Sequence, residues 1–112
     1  MTVTAKNLIA SKQAANVATT EYTAPTSTRT IIDKFTATNT TGGAVTLTVY
    51  LVPSGQAASS SNKVLDAFSI AANTFLDLPQ MQNHVLEAGD FISVLASAAT
   101  SLTIRASGRE VV

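Results

Sequence analysis

Phe35 to Pro53 reads FTATNTTGGAVTLTVYLVP, two runs of alternating character around a Gly-Gly pair. In the second run Val45, Leu47, Val49 and Leu51 fall on one side and Thr46 and Thr48 on the other, the period of two that a half-buried strand requires. Asn39-Thr40-Thr41-Gly42-Gly43 lies between the runs, and its glycines reach positive φ at low cost, so the stretch is expected to be a hairpin. The first run begins at Thr28 and sets Ile31, Asp33, Phe35 and Ala37 against Ile32, Lys34, Thr36 and Thr38. Two adjacent isoleucines interrupt that alternation and predict a bulge or burial on both sides.

Working outward, Ala24-Pro25-Thr26-Ser27 forces a turn before this region, because proline fixes φ and biases the residue before it toward extended geometry. Asn16–Tyr22 precedes that turn as a short apolar-polar run. Downstream, Val52-Pro53-Ser54-Gly55 fits a type I turn. Gln56–Asn62, QAASSSN, carries no anchoring side chain and reads as an exposed, mobile loop. Lys63–Ile70 groups Val64, Phe68 and Ile70. A helix competes there through Val64, Leu65 and Phe68, but the run is short and Ala71-Ala72-Asn73 reads as a hairpin turn into Thr74–Leu78, so a strand is preferred. Pro79 ends that strand. His84-Val85-Leu86 leads into a turn at Glu87–Asp90. A final hairpin follows, Phe91–Ser97 with Ser101–Ser107, in which Leu102, Ile104 and Ala106 alternate with Thr103, Arg105 and Ser107. About eight short strands at this spacing predict an all-β, two-sheet antiparallel sandwich, jelly-roll-like in kind. Residues 1–13 are expected to be an N-terminal arm or edge strand, and 14–112 a single β-sandwich domain.

Composition agrees with that class and narrows function by elimination. Of 112 residues 46% are hydrophobic and only 12% charged, while 17 Thr and 11 Ser supply the polarity. Threonine is β-branched and suits the outward positions of a pleated surface. Seven Lys and Arg balance seven Asp and Glu; this is no footprint for phosphate backbones, so nucleic acid is not an expected partner, and little repulsion opposes self-association. No cysteine is present for disulfides or thiolate metal sites. No stretch approaches the roughly 20 apolar residues of a membrane span, and the N-terminus lacks a sustained apolar core of the signal-peptide kind, so neither a membrane nor a signal peptide is expected.

The chemistry-bearing residues are few. His84 is the single histidine; a metal site or a nucleophile–base arrangement needs further ligands or an orienting partner, so the expected role is that of a polar loop residue. Glu87 and Asp90 sit in Leu-Glu-Ala-Gly-Asp-Phe, a setting for turn chemistry rather than for paired catalytic carboxylates. Gly42-Gly43 lacks the lysine and the strand–loop–helix context of a phosphate cradle. No catalytic, cofactor-binding or metal residues are therefore expected, no cofactor, and no enzymatic role. Arg29, Arg105 and Arg109 admit two readings, a carboxylate-binding patch for a protein partner or solvated charge that discourages edge pairing. Tyr50 and Val52 lie on the otherwise Thr-lined side of their strand, where either a second layer covers them or they form a patch used in assembly. Leu8 and Ile9, in the N-terminal segment, complete the candidate interface residues.

Glu21–Gly55, EYTAPTSTRTIIDKFTATNTTGGAVTLTVYLVPSG, and Val85–Gly108, VLEAGDFISVLASAATSLTIRASG, resemble small β-sandwich virion proteins of tailed bacteriophages. The resemblance runs over a Tyr-Thr-Ala-Pro entry, the Gly turn, the Val-Thr-Leu-Thr-Val-Tyr-Leu-Val-Pro strand and the Leu-Glu-Ala-Gly-Asp turn, and it transfers no catalytic residue. Size and self-contained character look most like a capsid decoration protein of the cement or staple kind. That implies a structural homo-oligomer, dimer or trimer, made in the host cytoplasm, bound to the major capsid protein on the outer capsid surface. The alternative within the same group is a tail-tip or fibre-associated adaptor or receptor-binding module.

Overall fold

The computed structural model describes all residues, Met1–Val112, and contains strands, turns and two short 3₁₀ segments but no α-helix. The strands are β1 (Val3–Gln13), β2 (Thr19–Thr23), β3 (Arg29–Asn39), β4 (Val45–Val52), β5 (Lys63–Ile70), β6 (Phe75–Asp77), β7 (Val85–Leu86), β8 (Phe91–Ala96) and β9 (Leu102–Val111). The chain pairs as a ribbon folded at the β4–β5 connection. β1 lies antiparallel to β9, β2 to β8, β3 to β6 and β7, and β4 to β5. Rolling that ribbon also brings β9 beside β3 and β8 beside β4, which gives one sheet ordered β1-β9-β3-β6, with β7 on the same side of β3, and a second ordered β2-β8-β4-β5. This is the jelly-roll arrangement of a two-sheet sandwich. β6 and β7 act as one strand interrupted at Pro79–Met81, where proline withholds a donor from the ladder.

The core lies between the sheets. From β4 and β8 come Val45, Leu47, Val49, Ile92, Val94 and Ala96, and from β3 and β9 come Ile32, Phe35, Ala37, Leu102, Ile104 and Ala106. Leu51 packs against this cluster at its margin. Each large side chain buried here contributes about 1.5–3 kcal/mol.

Three turns expected to close hairpins do something else. Gly42-Gly43, Ala71–Asn73 and Ala98–Thr100 each join strands of different sheets, so they are arches over the end of the sandwich, and the hairpin of consecutive strands is β4–β5. A local run of turn residues specifies a reversal, and only core packing decides whether the returning strand pairs or crosses over. Neither Gly42 nor Gly43 occupies the left-handed region. The arch is shaped by Asn39, which is 1% exposed: its amide donates to the carbonyls of Gly43 (2.8 Å) and Ile70 (2.9 Å) and accepts from the Thr41 N–H (2.9 Å) and hydroxyl (2.7 Å). The turn at Pro53 is also displaced by one residue, with the Gln56 N–H donating to Pro53 and Gly55 at φ +82°. Gln56–Asn62 is anchored after all. Asn62 is buried, donates to the Ala57 carbonyl and accepts from the Ser59 N–H, the pattern of a capping box.

The bulge expected from Ile31-Ile32 is present at Asp33, the extra residue between the pairs Ile32↔Gly108 and Lys34↔Ser107. It changes the phase of β3: Thr30 and Ile32 are buried before it, Phe35, Ala37 and Asn39 after it. β1 bulges at the neighbouring position, with Leu8 extra between Asn7↔Ser107 and Ile9↔Ala106. Gly108 sits between the two bulges, and a β-carbon there would fall inside van der Waals contact with the Ile31 carbonyl oxygen and against Leu8. The segment expected as an arm or an edge strand thus runs along β9 over Val3–Gln13.

Gly108→Ala is expected to destabilise the fold by about 1–3 kcal/mol, because backbone must shift to admit the methyl group. Gly42→Ala, in open space, should stay within about 0.5 kcal/mol of the parent; urea denaturation of both variants measures the contrast. Deleting residues 1–13 removes Leu8 and Ile9 from the core, roughly 3–6 kcal/mol of burial, and should abolish or strongly lower the cooperative thermal transition followed by circular dichroism.

Candidate interaction surface

The seven residues singled out from the sequence divide into two groups. Leu8 and Ile9 are 5% and 2% exposed, because the bulge at Leu8 turns successive side chains into the core. Tyr50 and Val52 are 9% and 0% exposed. They face away from the main core, but the β4–β5 connection folds back against β4, and the Lys63 ammonium stands 6.0 Å from the centre of the Tyr50 ring. The Ala67 N–H donates to Thr48 on the same face. These four side chains are therefore unavailable to a partner while the chain is folded as it stands. The second layer that covers Tyr50 and Val52 was invisible in a loop of Ala and Ser.

The three arginines are at the surface in different states. Arg29 donates to Glu87 (2.9 Å), with both side chains well exposed. Arg109 grips Asp33 with two nitrogens at 2.8–3.1 Å, and that carboxylate holds the guanidinium pKa above its ordinary value. Arg105 has no carboxylate and donates to the Ser11 hydroxyl (3.2 Å). Arg29 and Arg109 therefore already serve carboxylates of their own chain.

Glu87 and Asp90 do turn chemistry. Asp90 accepts from the N–H groups of Glu87 and Ser54, both at 3.0 Å, while Gly89 takes φ +87°. His84 is exposed, and its backbone carbonyl accepts from Ile32 beside β7. No three His, Cys, Asp or Glu side chains converge in a way that would hold a metal ion. Phe75 and Val85 are exposed apolar side chains at opposite ends of the β6–β7 edge, opposite Thr38 and Ile31 of β3.

Two polar ties join the sheets near their edges. Glu21, whose side chain is 3% exposed, pairs with Lys12 at 2.7 Å from β2 to β1. Tyr22 of β2 donates to Glu110 of β9 (2.6 Å) and shares a hydrogen bond with Thr30 of β3 (2.7 Å). Burial and then the Glu110 carboxylate push the Tyr22 pKa up to about 12 from 10.0.

No protein-family model matches this chain, and no curated protein matches it. Solved structures do. The structure of Bacillus endospore appendages, disulfide-linked pili, aligns with a TM-score of 0.58 at 14% identity over 97% of this chain and 87% of that one. The structure of infectious bursal disease virus, Gx strain, aligns at 0.57 and 16% over 97% of this chain and 32% of that one, and the VP2 subviral particle of the same virus at 0.52 and 13%. This chain spans about a third of the length of the viral chains it matches. At such identities the likeness speaks to the fold alone, a small β-sandwich also found in those virus and pilus structures. The finer kinship with tailed phages is not part of it. No helix is long and apolar enough to cross a membrane.

Tyr22→Phe should cost about 1–2 kcal/mol at neutral pH, since it leaves the buried Thr30 hydroxyl and Glu110 without a partner. The folded state keeps Tyr22 protonated to higher pH than the unfolded chain does. Its stabilisation is therefore complete below about pH 10 and is lost as pH rises towards about 12. Urea midpoints across that interval should fall more for the parent than for the variant.

Proposed function

We propose that this chain is a structural subunit of a protein assembly, and specifically a homo-oligomeric decoration protein, dimer or trimer, that binds the major capsid protein on the outside of a tailed-phage shell and stabilises it. The observation that carries the reading is the jelly roll itself, aligned over 97% of the chain with structures from a virus and from pili. The phage-like strand and turn pattern of Glu21–Gly55 and Val85–Gly108 narrows it to the virion. The mechanism is surface burial rather than chemistry, and no catalytic role is assigned. A stable contact buries roughly 800 Å² per partner, and the broad face of a body measuring 46 × 26 × 19 Å has room for one. The outer face of the β1-β9-β3-β6 sheet, the unpaired edge of β1 and the surface arginines are the parts this reading uses.

A second reading is a fibre- or tail-associated module. It draws on the near end-to-end match with the pilus protein, 87% of that chain. Disulfide linkage is not open to this sequence, which has no cysteine.

Quantitative mass spectrometry of purified particles separates the two. A decoration protein should appear in near-stoichiometric ratio to the shell protein. A few copies per particle would overturn that role in favour of the tail.

A further inference from the structure

The register of the first sheet sorts its side chains between the interior and the outer face. Leu76 and Leu86 pack against the core, so alternation turns their neighbours Phe75 and Val85 outward. Near one end of β3, Ile31 stands between Arg109 and Val85 on that outer face, and in the next row Val111 stands between Val3 and Arg29. Val3 and Val85 are half exposed there, at 51% and 50%. Near the other end of β3, Phe75 stands opposite Thr38 and is the most exposed aromatic of the chain, at 78%. The outer face therefore carries a protruding aromatic at one end of the β6–β7 edge and an apolar row at the other.

These two features are placed symmetrically. Ile31 and Thr38 lie near opposite ends of β3, which runs Arg29–Asn39, so the point midway between them is close to the middle of the strand. A two-fold axis lying in the plane of contact and crossing the strands at that point exchanges the ends of the face and keeps its edges in place. Phe75 of each copy then meets the row of Ile31 and Val85 in the other, twice over, as an isologous contact requires. Because the axis passes near the middle, the two faces overlap along nearly their whole length. The sheet is four strands wide; at about 4.8 Å between strands and about ten residues of about 3.3 Å each, it covers roughly 600 Å² in projection. The accessible surface of a corrugated sheet exceeds its projection, which brings the face to the roughly 800 Å² per partner of a stable contact. Charge does not oppose the contact. Arg29 with Glu87, Arg109 with Asp33 and Lys34 with Asp77 are balanced pairs, and Arg105, donating to Ser11, is the arginine of that face without a carboxylate.

We propose that the outer face of the β1-β9-β3-β6 sheet is the interface of a two-fold homodimer, in which Phe75 of each copy packs on Ile31 and Val85 of the other. A different protein would have to supply both an apolar row for Phe75 and a projecting group for Val85, whereas a second copy supplies both at the required spacing. Aromatic side chains are the usual anchors of such contacts, and two twisted sheets stack face to face about 10 Å apart with strands aligned to within about 30°. The inference deepens the homo-oligomer of the reading above and rests on that reading only for the dimer's place on a particle.

The test is sedimentation of the full chain over a dilution series, with the parent expected at twice the 11.6 kDa of one chain. Phe75→Lys and Val85→Glu should each raise the dimer dissociation constant by about tenfold or more. Mixed in equal amounts, the two variants should associate nearly as well as the parent, because a mixed pair sets the introduced lysine against the introduced glutamate and keeps one native contact of Phe75 with Val85. Val17→Lys, at an exposed valine outside the strands, should leave association unchanged. Circular dichroism reports whether each variant is folded. A parent that is monomeric or trimeric at every concentration, single variants that associate as the parent does, or a mixture no better than either variant alone would each overturn the interface. If the dimer and the mixture behave as expected but purified particles hold few copies, the interface stands and the decoration role falls. If particles carry the chain in near-stoichiometric ratio while the parent sediments as a monomer, the decoration role stands and the interface falls.

Discussion

Gly108 has no side chain because the backbone of β3 occupies the space where one would go. The rest of the first sheet follows from that close approach. β9 alternates without a break from Leu102 to Gly108, and both of its neighbours carry an extra residue beside it, Leu8 on one side and Asp33 on the other. Because side chains alternate with a period of two, one extra residue exchanges the faces of everything beyond it. Phe35 and Ala37 are core residues only because Asp33 intervenes, and Leu8 and Ile9 are both buried for the same kind of reason. The sharp approach at Gly108 thus settles which residues of two long strands belong to the interior.

The second constraint is polar. Crossing between sheets leaves backbone groups near each arch that no ladder satisfies, and buried groups of that kind are costly unless paired. Asn39 answers for one end, tying the Gly43 and Ile70 carbonyls and the start of the Thr40–Thr41 arch. Near the other end of β3, Tyr22, Thr30 and Glu110 join β2 to the opposite sheet, with Lys12 and Glu21 closing the flank between β1 and β2. These contacts give the sandwich a defined register that apolar packing alone would leave looser.

The same economy of charge bears on function. Almost every charged side chain is paired within the chain, so the surface charge is largely balanced in place, and threonine and serine supply much of the remaining polarity. Phe75 and Val85 add exposed apolar side chains along the β6–β7 edge. Such a surface suits the assembly role proposed above better than it suits bond chemistry. The covered Tyr50 and Val52 contribute to stability instead, beneath the β4–β5 connection.

Much of this was legible in order along the chain. The alternation in Val45–Leu51 and Leu102–Ala106, the bulge foretold by Ile31-Ile32 and the turn residues at Glu87–Asp90 express short-range periodicity and local hydrogen bonding, which neighbours in sequence determine. Arg29, Arg105 and Arg109 could be recognised as surface charge for the same reason. Asn7 could not be placed opposite Ser107, because the two meet across a strand pair 100 residues apart whose register depends on a bulge. Nor could Gly42-Gly43 be told from a hairpin, since a reversal looks alike whether the next strand pairs or crosses. By itself, then, the sequence determined that this chain is built of short strands and where most of the runs and reversals lie. The tertiary structure decided which strands share a sheet, which apolar residues are covered and which charges remain free, because those depend on contacts between segments whose separation no local pattern records.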